Sequence, residues 1–270
     1  MEINAATDFP QRIICLTEEP VETLYLLGKE HLIVGVSAFV KRPKEAQKLP
    51  KVSFFTSSNY KKILEKKPDL VLGHSDIQKD IARDLIEMGQ NVFIANHRSL
   101  EEILQYIQLL SRMVDASQEG EKLIKKLRNK INEAKEFTKT LHRRPKVYFE
   151  EWDEPQISAI KWVSELIELC GGENIFASKS DGLLAKERFV SNADVVAMNP
   201  DIIFACWCGK KVQLSSFAQR EGFSEVSAIK SKRVLELPPE IFLQPGPAVF
   251  LEGINILIEH FKSFNDEVKI

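Results

Sequence analysis

Lys67-Pro68-Asp69-Leu70-Val71-Leu72, in the first half of the chain, has an echo in the second, Asn199-Pro200-Asp201-Ile202-Ile203-Phe204. Each copy reads as a helix end, a Pro-Asp step and a buried apolar strand. Outward from the first copy, short apolar runs at residues 12–16, 32–36, 52–55, 70–72 and 92–95 are predicted strands. Residues 21–27, 59–66 and 77–88 are predicted helices, with Gly28 and Gly89 as stop signals after the first and third. Outward from the second copy, strands at 146–150, 202–205 and 234–237 alternate with helices at 160–169, 193–198 and 250–261. Strands joined by helical crossovers predict parallel sheets covered on both faces.

Between the two halves the pattern changes. Ser99 and Glu102 have the spacing of a capping box, and Ile103, Ile107, Leu110 and Val114 follow at helical intervals. After a break near residues 116–120, Ile124, Leu127, Ile131, Ala134, Phe137 and Leu141 continue the stripe. Residues 121–146 hold ten Lys or Arg against three Glu, which reads as a solvated helix face. The expected fold is therefore α/β: two Rossmann-like lobes with central, mostly parallel sheets, bridged by a long α-helix. The expected boundaries are 1–115 for the first lobe, 116–143 for the bridge and 144–270 for the second lobe.

The composition narrows the function. The 270 residues are 44% hydrophobic and 28% charged, which excludes disordered, collagen-like and low-complexity proteins. Lys plus Arg is 37 and Asp plus Glu is 39, so a net charge of −2 gives no general attraction to nucleic acid or an anionic membrane. No apolar run approaches the roughly 20 residues of a transmembrane helix. The opening residues, Met1-Glu2-Ile3-Asn4-Ala5-Ala6-Thr7-Asp8, lack the pattern of a secretory signal. The expected location is cytoplasmic as the chain stands, and periplasmic or extracellular if a signal segment has been removed. Four cysteines, Cys15, Cys170, Cys206 and Cys208, are too sparse for a disulfide framework. Neither a G-x-G-x-x-G nor a Walker A loop nor a G-x-S-x-G elbow is present, so no enzyme is expected.

Open parallel sheets bind ligands at the carboxyl ends of their strands. Those positions hold Glu18, Ser37, Phe39 and His74 in the first half, and Glu151, Trp152, Trp207, Phe242 and Gln244 in the second. Aromatics mixed with a few polar groups suit a bulky organic ligand. Cys206 and Cys208, with His74 and Glu151, also make a candidate metal set, since Cys and His together suit Zn²⁺ or a similar ion.

Several segments in order resemble one family. Ile14-Cys15-Leu16-Thr17-Glu18-Glu19-Pro20 through Gly28 is close to its opening strand, loop and helix. Gly35-Val36-Ser37, Lys67-Pro68-Asp69-Leu70-Val71-Leu72, Trp162-Val163-Ser164-Glu165-Leu166-Ile167 with Cys170-Gly171-Gly172, and Gln244-Pro245-Gly246-Pro247 follow. Together they are similar to the substrate-binding proteins of cobalamin and ferric-siderophore ABC importers, above all the cobalamin-binding members.

The resemblance implies two lobes, one bridging helix and a ligand in the groove between them. It also implies a monomer that holds a cobalamin-like corrinoid, or a haem or ferric siderophore, without catalysis. Trp152, Trp207, Phe39 and Phe242 are then expected as apolar walls, and Glu18, Ser37, Glu151 and Gln244 as polar contacts to the ligand's rim, with His74 near the metal. Such proteins dock to an ABC permease through an acidic residue on each lobe. Here the matching positions, Gln78-Lys79-Asp80 and Gly209-Lys210-Lys211, carry basic residues, which sets the expected permease contact against like charge. The alternative expectation is a metal-ion-binding protein that uses His74, Glu151, Cys206 and Cys208.

Overall fold

The structure is a computed structural model, and it describes residues 8–268. The chain forms two compact units: one comprises the residues up to His97 with Glu101–Leu127, and the other Arg98–Leu100 with the residues from Arg128 onward.

The first unit holds β1 (Ile13–Cys15), β2 (Ile33–Ser37), β3 (Lys51–Ser53), β4 (Leu70–His74) and β5 (Val92–Ala95). They form one sheet in the order β3-β2-β1-β4-β5, and every pairing is parallel. Its helices are α1 (Glu19–Leu26), α2 (Tyr60–Glu65), α3 (Lys79–Glu87) and nearly all of α4 (Leu100–Met113), and α5 (Ser117–Thr138) begins in it. Central β1 shows why its residues are apolar without alternation: Ile13, Ile14 and Cys15 are all fully buried, as expected for a strand covered on both faces. Ile14 packs with Val52, Ile63, Val71, Ile81 and Leu85, so strands and helices share one core.

The expected break in the helical stripe is real and sharp. α4 ends at Met113, Asp115 turns through the left-handed region (φ +52°), and α5 starts at Ser117. Gly120 lies so near α4 that a Cβ there would stand 2.1 Å from Ser111 Oγ, so the close approach requires glycine. α5 then carries the chain from the first unit into the second.

The second unit holds β6 (Lys146–Asp153), β7 (Gln156–Ser158), β8 (Glu173–Asn174), β9 (Ile202–Ala205) and β10 (Val234–Glu236). Its helices are α6 (Lys161–Leu169), α7 (Asn192–Met198), α8 (Leu214–Phe217), α9 (Ser227–Lys230), α10 (Pro239–Phe242) and α11 (Ile254–Val268). The sheet order is β10-β9-β6-β7, with β8 also beside β6. All these pairings are parallel except β6–β7, which is antiparallel. Among the boundaries that differ from the sequence reading, two have a structural cause, and the closing helix also runs on to Val268 rather than ending at Phe261. β6 runs three residues past Glu150 because it continues into the β7 hairpin. A π-helical turn, Val249–Gly253, precedes α11, so the closing helix proper begins at Ile254 rather than Phe250.

The repeated Pro-Asp step has the same job in each unit. Lys67 (φ +48°) and Asn199 (φ +46°) leave a helix through the left-handed region, one residue before the proline. The Asp69 carboxylate then accepts the backbone N–H groups of Gln11 and Arg12 (2.6 and 2.9 Å), just ahead of β1. The Asp201 carboxylate accepts the N–H of Lys146 (2.9 Å), the first residue of β6, and pairs with Arg143. Each aspartate thus fixes the start of the neighbouring parallel strand, and with it the register Ile13↔Leu70 or Val147↔Ile202.

Candidate functional site

In the first unit, parallel pairing puts the carboxyl ends of all five strands on one edge of the sheet. β2 and β3 are neighbours, and the residues just beyond them are Phe39 and Phe54. These rings meet edge to face at 5.9 Å, yet remain 54% and 56% exposed. Two large aromatics held in solvent form an apolar contact surface that the fold itself leaves unused. Their support lies underneath. Buried Ser37 accepts the N–H of Phe39 (3.3 Å), and buried Glu18 accepts the N–H of Lys41 (3.1 Å). Glu18 and Ser37, expected to face the ligand, instead brace the loop that presents Phe39.

His74, the last residue of β4, is buried. Its Nε2 donates to the His97 carbonyl oxygen (3.1 Å), and its ring meets that of His97 at 4.6 Å. His97 stacks in turn on Tyr106 of α4. This packing places His74 in the interior, contrary to the expectation of a group near the ligand's metal. Beside this stack, the Glu19 carboxyl is 1% exposed and accepts the Thr17 hydroxyl at 2.5 Å. Burial raises its pKa from 4.5 to about 7.

In the second unit the centre is a residue that the sequence reading passed over. Glu150, on β6, is fully buried and accepts four donors. Nη1 and Nη2 of Arg220 reach it (2.5 and 2.9 Å), as do the Tyr148 hydroxyl (2.9 Å) and the Trp207 indole Nε1 (3.2 Å). Arg220 is itself held over the rings of Phe217 and Phe223. One charge inside the apolar run Val147-Tyr148-Phe149 was the available signal. Tyr148 is two residues away, but Trp207 and Arg220 lie 57 and 70 residues away, and no local pattern reveals them.

Trp207 is only 4% exposed and stacks on Phe217, so most of its surface belongs to the core. Trp152 is half-buried and donates Nε1 to the Glu154 carbonyl (3.0 Å). The Lys210 ammonium sits 4.4 Å from the Trp152 ring centre and 4.9 Å from that of Trp207, and pairs with Asp153 at 2.5 Å. Phe242 is not a wall. It is fully buried at the end of α10, against Phe149, and its carbonyl accepts the Trp162 indole N–H (2.8 Å). Glu151 is committed to buried Arg188 through two contacts (2.5 and 3.2 Å) and is no free rim group. Gln244 is half-buried in the turn after α10.

The metal set does not assemble. Among the described residues no group of three or more His, Cys, Asp or Glu is placed to hold a metal ion. His74 is packed in the first unit, Glu151 is tied to Arg188, and Cys206 is buried while Cys208 is exposed. Burial, and secondarily the Glu151 charge, push the Cys206 thiol well above its usual pKa, away from the thiolate a metal needs. No helix among the described residues is long and apolar enough to cross a membrane.

Residues 13–241 match the family described as periplasmic binding protein. A vitamin B12-binding protein of Vibrio parahaemolyticus is 26% identical over 97% of this chain and 93% of its own length. An uncharacterized ABC transporter substrate-binding lipoprotein of Bacillus subtilis, YvrC, is 26% identical over 93% of this chain and 79% of its own. Among solved structures, a periplasmic heme-binding protein from Pseudomonas aeruginosa superposes with a TM-score of 0.81 at 17% identity, covering 94% of this chain and 93% of that one. The periplasmic vitamin B12-binding protein BtuF of Vibrio cholerae gives 0.73 at 24%, over 94% and 97%.

Proposed function

Because the chain belongs to the periplasmic binding protein family, we propose that it is a non-catalytic substrate-binding protein that holds a cobalamin-like corrinoid for an ABC-type uptake system. The observation that carries this reading is the exposed Phe39–Phe54 pair at the ends of neighbouring strands. A corrin ring offers a broad apolar face, and two solvent-held phenyl rings with buried polar supports are suited to receive one. Near-full-length relatives described as vitamin B12-binding favour the corrinoid over other large ligands. Phe39 and Phe54 are the proposed apolar contacts, while Glu18 and Ser37 act by bracing the Phe39 loop.

The relatives are described as periplasmic or as a lipoprotein, which supports a station outside the cytoplasmic membrane, beside a permease partner, in place of the cytoplasmic one expected from the opening residues. The test is a visible-absorbance and calorimetric titration with cyanocobalamin and hydroxocobalamin, with hemin in parallel. Saturation by either cobalamin at one equivalent and micromolar or lower concentration is the expected result. Failure of both at high micromolar concentration overturns the corrinoid reading, and saturation by hemin alone transfers the site to haem.

A further inference from the structure

Lys210 occupies an unusual position for a surface lysine. Its side chain is 40% exposed, yet its ammonium lies over two indole rings, 4.4 Å from the centre of Trp152 and 4.9 Å from that of Trp207. Asp153 supplies a carboxylate oxygen at 2.5 Å. A cation within about 6 Å of a tryptophan face is attracted by the ring's quadrupole, and two faces plus a carboxylate sum that attraction at one point.

The walls stand without Lys210. Trp207 is fixed by its bond to Glu150, inside the Arg220–Tyr148 network, and by Phe217. Trp152 is fixed by its bond to the Glu154 carbonyl and by the strand that carries it. Asp153 is the next residue on that strand. The occupant, by contrast, sits on a surface turn. Gly209, immediately before it, adopts φ +83° with nothing within 4 Å of a would-be Cβ, so no side chain packs over the turn at that point. A rigid box is thus filled by a replaceable cation.

We propose that Trp152, Trp207 and Asp153 form a binding site for an alkylammonium group, which the chain's own Lys210 occupies in the absence of such a ligand. The class of ligand is a small organic cation, primary or quaternary, or the cationic arm of a larger molecule. A neutral amide gains no comparable attraction from the two rings, and an anion is repelled by Asp153. The site stands on its own geometry and does not require that the large ligand be a corrinoid.

Lys210→Ala empties the box without touching its walls. Tryptophan emission of this variant, titrated with tetramethylammonium chloride against sodium chloride at equal ionic strength, reports occupancy directly. Saturable change is expected in Lys210→Ala at millimolar tetramethylammonium, and at least about tenfold weaker response in the parent protein, where Lys210 competes. Asp153→Asn added to Lys210→Ala is expected to weaken the response again, and circular dichroism establishes that each variant is folded. A folded Lys210→Ala protein that answers both salts alike overturns the proposal. So does a Lys210→Ala response that survives the further change Trp152→Leu undiminished. A parallel cyanocobalamin titration reads the corrinoid proposal separately, since either result there leaves the ammonium titration intact.

Discussion

Glu19 shows how far one buried carboxyl departs from its sequence label. It follows β1 at the place where a ligand-facing group was sought, but it is 1% exposed, and its proton is held by burial. Below pH 4.5 the carboxyl is protonated in both folded and unfolded chains. Between 4.5 and about 7 the unfolded chain releases the proton while the folded one keeps it, so stability falls as pH rises through that window. Above about 7 the loss is complete, on the order of 3 kcal/mol. Glu19→Gln retains the acceptor for Thr17 and removes the ionisation. Its melting temperature is expected to exceed the parent's by several degrees at pH 8 and to match it at pH 4, read by circular dichroism across that range. An equal offset at both pH values would show that packing, not ionisation, separates the two proteins. The same residue marks the limit of reading a site from sequence. Strand ends were legible, and Phe39 and Trp152 do stand there with accessible surface. Whether a polar neighbour turns outward or inward depends on its partners: Lys41 for Glu18, Arg188 for Glu151 and His97 for His74. Those partners are 23, 37 and 23 residues distant, beyond any local pattern.

At the scale of elements, strands and helices were legible because each carries its own periodicity, and the Pro-Asp echo was legible because the same local problem is solved twice. What was missed are elements made by tertiary contact. β7 exists only as the return of β6, and β3 stops at Ser53, which frees Phe54 from the strand and makes it half of the aromatic pair. The turn between α4 and α5 is set by an encounter that spacing hints at and packing decides. A methyl group on Gly120 would meet Ser111 Oγ at 2.1 Å and Ser111 Cβ at 2.4 Å, too close for either helix to absorb without shifting. Gly120→Ala is expected to destabilise the first unit by about 1–3 kcal/mol, the usual cost of overpacking, despite alanine's better helix propensity. Ser111→Gly in the same chain removes both clashing atoms and is expected to recover most of the loss. Urea midpoints for the two single variants and the double one measure this coupling, and strict additivity would show that the helices do not meet at Gly120.

At the scale of the whole molecule, the two units divide their labour differently over two mostly parallel sheets. The second unit pairs its β6 charges within itself, Glu150 with Arg220 and Glu151 with Arg188, and Glu150 also fixes Trp207. The first leaves Phe39 and Phe54 in solvent, an arrangement that adds little to folding, because rings more than half exposed recover little of the hydrophobic gain. Stability and binding should therefore separate cleanly there. Phe39→Ala with Phe54→Ala is expected to leave the melting temperature of the free protein nearly unchanged. If the pair receives the ligand, the same double change weakens cyanocobalamin by about 10- to 100-fold, as loss of two aromatic contacts implies. Melting with ligand reads both at once. Ligand at about 100 times its dissociation constant stabilises a folded protein by about 2.7 kcal/mol, so the parent should shift upward while the double variant, at that same concentration, shifts far less. A variant that melts lower without ligand would return the two rings to the core. One that melts and binds like the parent would place the ligand elsewhere on the strand ends.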